Sequence, residues 1–489
     1  MRKLLFDLQN AIQDSFAGIP GENRLLFNIF QNIPDIETNG LIWGDRQWHV
    51  QNLSSDEEQA IFMGFVNEPC AYNKPGMNYG FFSYFTSKLG NKFPRISRLN
   101  NKTRESFIVR NQIFPLTDSI PKNVVWRRAF SRTCDPKIRK FVEEANFYLS
   151  PLGLNRVYAS LKYKLAFPKL DTEGFDFIFF EYPRAIVVDK KTTKIVRYHD
   201  AIPLVAPDTT DSIDTLKLHI RAVKACENDS IFVCNSPNSQ NELRLISPIA
   251  ASRSTVIPCV VPDTSSNSEN MSVSEIVNKR RFNPNSGRID LDLRKIEADL
   301  AKNHRKLIED DEPYFIAVST LEPRKNYATL LSAWSMFNTR NTKKVKLILV
   351  ANPGWRSDVL KNEISRLSLE GDLIHLTKVP QEELNFLYSK AKAFISPSYA
   401  EGFGAPLIEA GLCGIPVIAS DIDTYHYVLG ESGIFFDPYS KEDLCQKMGF
   451  LMSRTPEQMK ELSDKSKANA LRFSNERVTE HWADFIKSI

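Results

Sequence analysis

Two glutamates, Glu401 and Glu409, stand in the segment SPSYAEGFGAPLIEAGLCGIPVIASD, residues 396–421, with Gly402, Phe403 and Gly404 directly after the first. A Gly-x-Gly loop lets an anion approach the main chain closely, and a helix that starts behind it aims its free N–H groups at that anion. Pro406 suits the opening of such a helix, where its missing N–H has no partner to lose, and Gly414 suits its end. A carboxylate beside a bound phosphate is repelled by it. Both glutamates are therefore better read as acceptors for hydroxyl groups lying on either side of the phosphates, an arrangement that suits a nucleotide sugar, with ribose on one side and hexose on the other. One glutamate at a helix start and one in solvent is the ordinary reading of this spacing. The glycine loop, the strand before it and the proline weigh against it.

Arg324 and Lys325 bring positive charge of their own. The pattern places both in the opening turn of a helix, where cations oppose the helix dipole by some tenths of a kcal/mol, and a nearby anion would remove that conflict. Lys325 is the first choice for a diphosphate contact, since neighbouring helical residues diverge by about 100° and Arg324 can point elsewhere. His199 ends an apolar run just before DAIPL. A lone histidine is more often structural, but a strand end favours a functional role. The triplets DLD at 290 and DID at 421 have the form of an Asp-x-Asp metal site, yet such triplets are common. Two cations and a helix terminus can serve a diphosphate without metal, so neither metal nor cofactor is expected.

These residues need elements to hold them. From 313 onward, apolar runs alternate strictly with amphipathic stretches: YFIAVST, NYATLLSAWSMF, VKLILVA, DVLKNEISRLSL, DLIHLT, EELNFLYSKA, AFISPS and GIFFDP. That alternation predicts an α/β domain with a parallel sheet, its ligand in the crevice at the carboxyl ends of the strands. The N-terminal half opens likewise, with the strand KLLFDLQ, a loop DSFAGIPGEN and the helical RLLFNIFQNI, and the alternation resumes at FDFIFFE, KIVRYHD, TLKLHIRAVKAC, SIFVCNS and STVIPCVV. Between about 45 and 170 the pattern dissolves into aromatics and Asn, which reads as an insertion. Residues 262–312, rich in Ser, Asn and Pro at first, read as a linker. The expected domains are 1–261 and 313–489, with the last helix able to pack back on the first.

Composition agrees. A chain of 489 residues with 42% hydrophobic and 25% charged residues is an ordinary globular protein of two or three domains. A net charge of +4 is too mild for a nucleic-acid binder. The seven cysteines are scattered without a Cys-x-x-Cys pair, which fits a reducing compartment. The start MRKLLFDLQ is cut short of a signal core by Asp7, and no run approaches the roughly 20 apolar residues of a membrane span. A cytoplasmic protein is expected, with any membrane contact peripheral at the inner face of the plasma membrane.

The segment EGFGAPLIEAGLCGIPVIASDI resembles the signature of the retaining glycosyltransferases of GT-B fold that form family four, and AVSTLEPRKNYATLLSAW and VPQEELNFLYSKAKAFISPS are similar to the family's two other C-terminal blocks in order and spacing. The likeness is strong over about 313–440 and thin in the N-terminal half, where GIPGENR and YHDAIPL carry it. It implies two facing Rossmann-like domains and a nucleotide-sugar donor held mainly by the second. Glu401 would meet the donor hexose, Glu409 the ribose, and the amides around Gly402, Phe403 and Gly404 the sugar and phosphate. His199 would face the sugar, and the loop around Gly18 would contact phosphate from the opposite side. The family's frequent arginine after the first strand is Thr320 here. TLEPRKN is similar to mannosyltransferase-like members, which favours GDP-mannose over UDP-sugars, and a hydroxyl of a growing bacterial surface polysaccharide or lipid-linked glycan is the expected acceptor.

Two other readings stand beside this one: a nucleotide-sugar epimerase of the same fold, and a catalytically silent nucleotide-sugar-binding protein. Within the insertion, YGFFSYF at 79–85 and the bases Arg127, Arg128, Arg132, Lys137, Arg139 and Lys140 read either as core and solvated surface or as a surface for the acceptor or an anionic membrane.

Overall fold

The structure, a computed structural model, describes residues 1–11, 18–43, 113–115, 122–131, 134, 136–150, 152, 154–210, 213–264, 271–281, 307–369 and 372–489. Its contacts gather the chain into two compact units. The first comprises Met1–Asp14, Phe27–Arg197 and Ile220–Phe232, and the second Ser15–Leu26, Tyr198–His219 and Val233–Ile489. The described strands form two sheets.

The first sheet has the order β3, β4, β2, β1, β5, β6, β7, β8. Its strands are β1 (Arg2–Asp7), β2 (Ile36–Trp43), β3 (Phe114–Pro115), β4 (Asn146–Ser150), β5 (Phe177–Phe180), β6 (Thr193–Tyr198), β7 (Ser230–Cys234) and β8 (Ser254–Val256). Helix α1 (Gly18–Gln31) joins β1 to β2. β1 pairs in parallel with β2 and β5, and Phe6 stacks on its register partner Phe179 with ring centroids 4.6 Å apart. The apolar runs of β1 and β5 are buried almost throughout, as a sheet covered on both faces requires. Two expectations are corrected here. GIPGEN is not a loop: α1 already runs from Gly18, because Pro20 in a first turn sacrifices no helical hydrogen bond. The region 45–170 is not wholly an insertion either, since Asn146–Ser150 pairs in parallel with β2 and extends the sheet.

The described residues include only some of the aromatics and bases singled out in that region. Arg139 pairs with Glu143 at 2.7 Å and Lys140 with Glu144 at 3.7 Å, both exposed and one helical turn apart. YGFFSYF, Arg132 and the side chains of Arg128 and Lys137 lie outside the described residues.

The second sheet runs β11, β10, β9, β12, β13, β14, and its mapped pairings are parallel. The strands are β9 (Tyr314–Leu321), β10 (Lys346–Pro353), β11 (Leu373–Leu376), β12 (Ala393–Ser396), β13 (Val417–Ser420) and β14 (Gly433–Phe436), at the places the sequence pattern predicts. Numbered from β9, the order is 3-2-1-4-5-6, that of a doubly wound sheet, and its direction reverses between β9 and β12. The loops leaving those two strands lie side by side, the Tyr399 N–H after β12 donating to the Arg324 carbonyl after β9 at 2.8 Å. Helices of the second unit include α2 (Pro237–Ile246), α3 (Val273–Arg280), α4 (Tyr327–Arg340), α5 (Gln381–Lys390), α6 (Ala405–Leu412) and α7 (Asp423–Leu429). α4 buries Tyr327, Leu330, Leu331, Trp334 and Phe337, one helical stripe, against the sheet core.

Residues 271–281 are part of this second unit rather than a free linker. Val273, Ile276 and Val277 of α3 enter the core beside Ile374 and Leu376 of β11, and Arg281 makes an antiparallel bridge to Leu376. Arg280 holds Glu383 of α5 with Nε and Nη2 at 2.5 and 2.9 Å, and Lys279 adds a third contact at 3.0 Å. Residues 282–306 lie outside the described residues.

This clasp is testable. Burial works against the Glu383 carboxylate, but the hydrogen bonds from Arg280 and Lys279 hold its pKa below the ordinary value. A depressed carboxyl contributes stability that is complete above its unfolded pKa and disappears as pH falls through its folded one. Glu383→Gln should therefore cost about 1.5–3 kcal/mol near neutral pH, the range for a charge-assisted hydrogen bond, and the difference from wild type should vanish at strongly acid pH. Urea melts of both proteins across pH would check this; a gap that does not change with pH would refute it.

Candidate active site

The residues singled out by type and spacing converge at the carboxyl ends of β9 and β12. After β9 the chain turns through a 3₁₀ turn at Pro323–Lys325, then through Asn326, whose φ of 51° lies in the left-handed region that Asn tolerates. The Asn326 side chain fixes the turn by donating to the Pro438 carbonyl at 2.8 Å. Arg324 and Lys325 thus precede α4 rather than occupying its first turn, which corrects the expected placement. The same turn lets both reach one carboxylate: Arg324 Nη1 donates to Glu401 Oε2 at 2.6 Å, and Lys325 Nζ bonds Glu401 Oε1. Of the two directions left open for Arg324, the structure takes the one toward Glu401, since the main chain there is a 3₁₀ turn and not an α-helix.

Two further groups, not foreseen, complete the cluster. Ser398 donates to Glu401 Oε1 at 2.8 Å. Glu322 accepts from Thr320 at 2.6 Å and from Arg324 Nε at 3.0 Å, so Thr320 is tied to the arginine through a shared carboxylate. Burial raises the Glu401 pKa, but Arg324, Lys325 and Ser398 outweigh it and bring the carboxyl down to about 2. Burial also opposes charge on Arg324, yet Glu401 and Glu322 hold its guanidinium above the ordinary range. Lys325 is pushed the other way, by burial and by the neighbouring guanidinium. Two cations and two carboxylates make the cluster formally neutral.

The loop after Glu401 has no room for side chains at two positions. A Cβ on Gly402 would stand 2.1 Å from the carbonyl oxygen of His199, and Gly404, at φ 93°, would meet Tyr425 at 2.8 Å. Gly404 caps α6, which has no side-chain cap, so the first N–H groups of the helix depend on other acceptors. Pro406 falls in this first turn, and Gly414, at φ 77°, follows its last. Phe403 turns into the core, edge-on to Phe473, so only its amide is available to the site.

Glu409, one turn inside α6, is buried, and it accepts from Gln381 Nε2 at a long 3.4 Å. The buried Tyr388 hydroxyl lies near the same carboxyl without reaching hydrogen-bond geometry. Burial therefore dominates and pushes the carboxyl up to about 7. His199 follows β6, is 7% exposed, and places Nδ1 3.6 Å from Glu22 of α1. Gly18 stands at the start of α1, with open space where a Cβ would be, in the same unit as His199 and Glu401. Of the acidic triplets, 290–292 lies outside the described residues, and Asp421 sits 2.6 Å from Nε2 of His426.

Other contributors escaped the sequence reading. Ser236, the N-cap of α2, donates to the Gly402 carbonyl at 2.7 Å, and Thr424 of α7 donates to the Glu401 carbonyl at 2.8 Å. A Ser-Pro pair opening a helix was a usable signal for Ser236. No such signal marks Thr424.

Glu409 gives a pH-dependent expectation. A carboxyl whose folded pKa rises from its ordinary 4.5 to about 7 contributes fully only below the unfolded pKa, and its contribution is lost as pH rises toward 7. Glu409→Gln should melt higher than wild type at pH 8, and its advantage should shrink towards pH 5. Melting curves at the two pH values decide it; a Gln variant no more stable at pH 8 than at pH 5, relative to wild type, would show that the buried charge costs nothing.

Comparison with known proteins bears on family and fold. Residues 300–469 match the family Glycosyl transferases group 1. Over 167 residues the chain is 35% identical to O-antigen chain mannosyltransferase B of Escherichia coli, covering 34% of this chain and 43% of that protein. Over 130 residues it is 34% identical to O-antigen chain mannosyltransferase RfbU of Salmonella typhimurium, covering 27% and 36%. The chain thus spans less than half the length of these curated relatives. The solved structure of sucrose-phosphate synthase from Thermosynechococcus elongatus matches with a TM-score of 0.55 at 15% identity, over 100% of this chain and 99% of that one, a likeness of fold. The chain is an α/β protein of GT-B architecture, and its residues 300–469 are a glycosyl transferases group 1 domain.

Proposed function

We propose that the protein is a retaining glycosyltransferase that moves a hexose, mannose from GDP-mannose in the first instance, to a hydroxyl of a glycan or lipid-linked glycan in surface polysaccharide synthesis. The observation that carries this is the buried Glu401, Arg324, Lys325 and Glu322 cluster beside the uncapped start of α6, at the point where the sheet reverses direction. The O-antigen mannosyltransferases among the relatives support the choice of sugar and acceptor class.

In this reading the donor diphosphate lies against the first turn of α6 and takes hydrogen bonds from Lys325 and Arg324. That exchange frees the Glu401 oxygens for the hexose hydroxyls, while Glu409 accepts from the ribose. As the bond to the anomeric carbon breaks, positive charge develops on the sugar and negative charge on the diphosphate. Lys325, Arg324 and the helix terminus stabilise the departing charge without a metal ion. His199 lies over the sugar, and the acceptor hydroxyl attacks from the face that the diphosphate leaves, giving its proton to the departing diphosphate oxygen. The protein meets a membrane, where it does so, only at its surface.

The test starts with a thermal-shift panel of GDP-mannose, GDP-glucose, UDP-glucose and UDP-galactose, since a ligand that binds the native state alone raises its melting point. Transfer to a mannan oligosaccharide is then followed with the stabilising donor, the product's anomeric configuration being read by NMR. Lys325→Ala should lower kcat/KM by roughly two to three powers of ten and weaken nucleoside diphosphate binding. Glu401→Gln should act mainly on kcat, and Glu409→Gln mainly on donor affinity. Wild-type kinetics in Lys325→Ala and Glu401→Gln would put the site elsewhere. Turnover of the donor to an epimer with no acceptor present would replace transfer by epimerisation, and tight binding without turnover would make the protein a sensor.

A further inference from the structure

Helix α2 touches both main-chain segments that carry the site. At its start, Ser236 accepts from the Ser239 N–H at 3.0 Å, the capping bond of the helix, and donates to the Gly402 carbonyl at 2.7 Å. One turn further in, Asn238 and Glu242 lie on one face, four residues apart, and Asn238 Nδ2 donates to Glu242 Oε1 at 2.9 Å. The other carboxylate oxygen, Oε2, accepts the Ala201 N–H at 2.7 Å, two residues beyond His199. Asn238 Nδ2 also reaches Thr424 Oγ1 at 3.0 Å, and Thr424 donates in turn to the Glu401 carbonyl at 2.8 Å.

We propose that Glu242 is a positioning residue: through Asn238 and Thr424 it holds the main chain just past His199 in fixed register with the main chain of Glu401. This assignment rests on the glycosyl-transfer reading above. The chemistry of the pair of neighbours favours a carboxylate over any other side chain. Both groups facing Glu242 are N–H donors, and a carboxylate offers an acceptor to each. Glutamine has the same shape but one acceptor, so it must leave either Ala201 or Asn238 facing an NH₂ group. Thr424 is matched in the same way, since one hydroxyl accepts from Asn238 while donating to Glu401. Each link is buried or part-buried, where an unmade hydrogen bond is costly. The clash awaiting any Cβ on Gly402, against the His199 carbonyl, shows how closely the two segments must be registered.

The experiment compares wild type, Glu242→Gln, Thr424→Val and the double variant, using the donor that stabilises the wild type and amide hydrogen exchange read on peptides spanning 199–206 and 400–404. Glu242→Gln and Thr424→Val should each lower kcat by roughly tenfold to a hundredfold, the scale of a small misplacement of reacting groups. Donor KM should stay within about twofold of wild type. The double variant should be no slower than the worse single, because both break one relay. Glu242→Gln should also speed exchange in 400–404, a segment it does not touch. Unchanged kcat, additive losses in the double variant, or faster exchange confined to 199–206 would overturn the assignment. Should Glu242→Gln fail to fold, Thr424→Val decides by the same kcat and exchange criteria, read in the 199–206 peptide. If wild type transfers no hexose while the exchange coupling holds, the function reading falls and the coupling of the two segments stands.

Discussion

The site is built around the cost of burying most of the Glu401 carboxylate. An unpaired buried carboxylate is penalised by several kcal/mol or more, and the structure answers with a guanidinium, an ammonium and a hydroxyl on its two oxygens. Those partners come from two chain segments some 75 positions apart, brought together because β9 and β12 are paired neighbours in the sheet. With Glu322 included, the cations are fully matched, so an incoming anion has to compete for them rather than fall into a field of free positive charge. If these cations hold a diphosphate, as proposed, selectivity against inorganic phosphate and other small anions follows, because only a ligand that also satisfies Glu401 recovers what the broken ion pairs lose.

The main chain supplies the second requirement. Gly402 and Gly404 leave the loop thin enough for the His199 carbonyl on one side and Tyr425 on the other, and Phe403 between them anchors it to the core. A rigid loop of this kind presents amides rather than side chains to a ligand. Amides carry no charge to desolvate, and their direction is set by the fold itself.

How far this was readable in advance differs between the two halves. The six strands of the second sheet announce themselves as short apolar runs between amphipathic stretches, and the Gly-x-Gly loop, Pro406 and Gly414 mark α6 at both ends. Glycines and a proline misled at Gly18–Glu22, where they open a helix instead of forming a loop, because Pro is neutral in a first turn and breaking only further in. Asn146–Ser150 was hidden because it is short and lies in an aromatic, Asn-rich stretch without alternation, and its partner β2 is about a hundred residues earlier. The relay from Glu242 to Thr424 is of a different kind. Asn238 and Thr424 are 186 positions apart, and no local periodicity encodes a hydrogen bond between them. The pairing of Glu401 with Arg324 as well as Lys325 depended on a left-handed Asn326, a conformation that Asn permits without announcing.

The seat of α3 against β11 has a consequence for solubility. β11 is the outermost strand of its sheet, and an outermost parallel strand offers a row of unmatched N–H and C=O groups to any other strand it meets. Arg281 bridges to Leu376, and the Arg280 carbonyl accepts the Thr377 N–H at 3.1 Å, so the border of the sheet is closed by the chain's own upstream segment. Cutting the chain between 281 and 307 to isolate the group 1 domain would strip that cover and bare Ile374 and Leu376 together with the strand's polar rim. A fragment of that kind is an invitation to edge-to-edge association at a border that α3 otherwise closes.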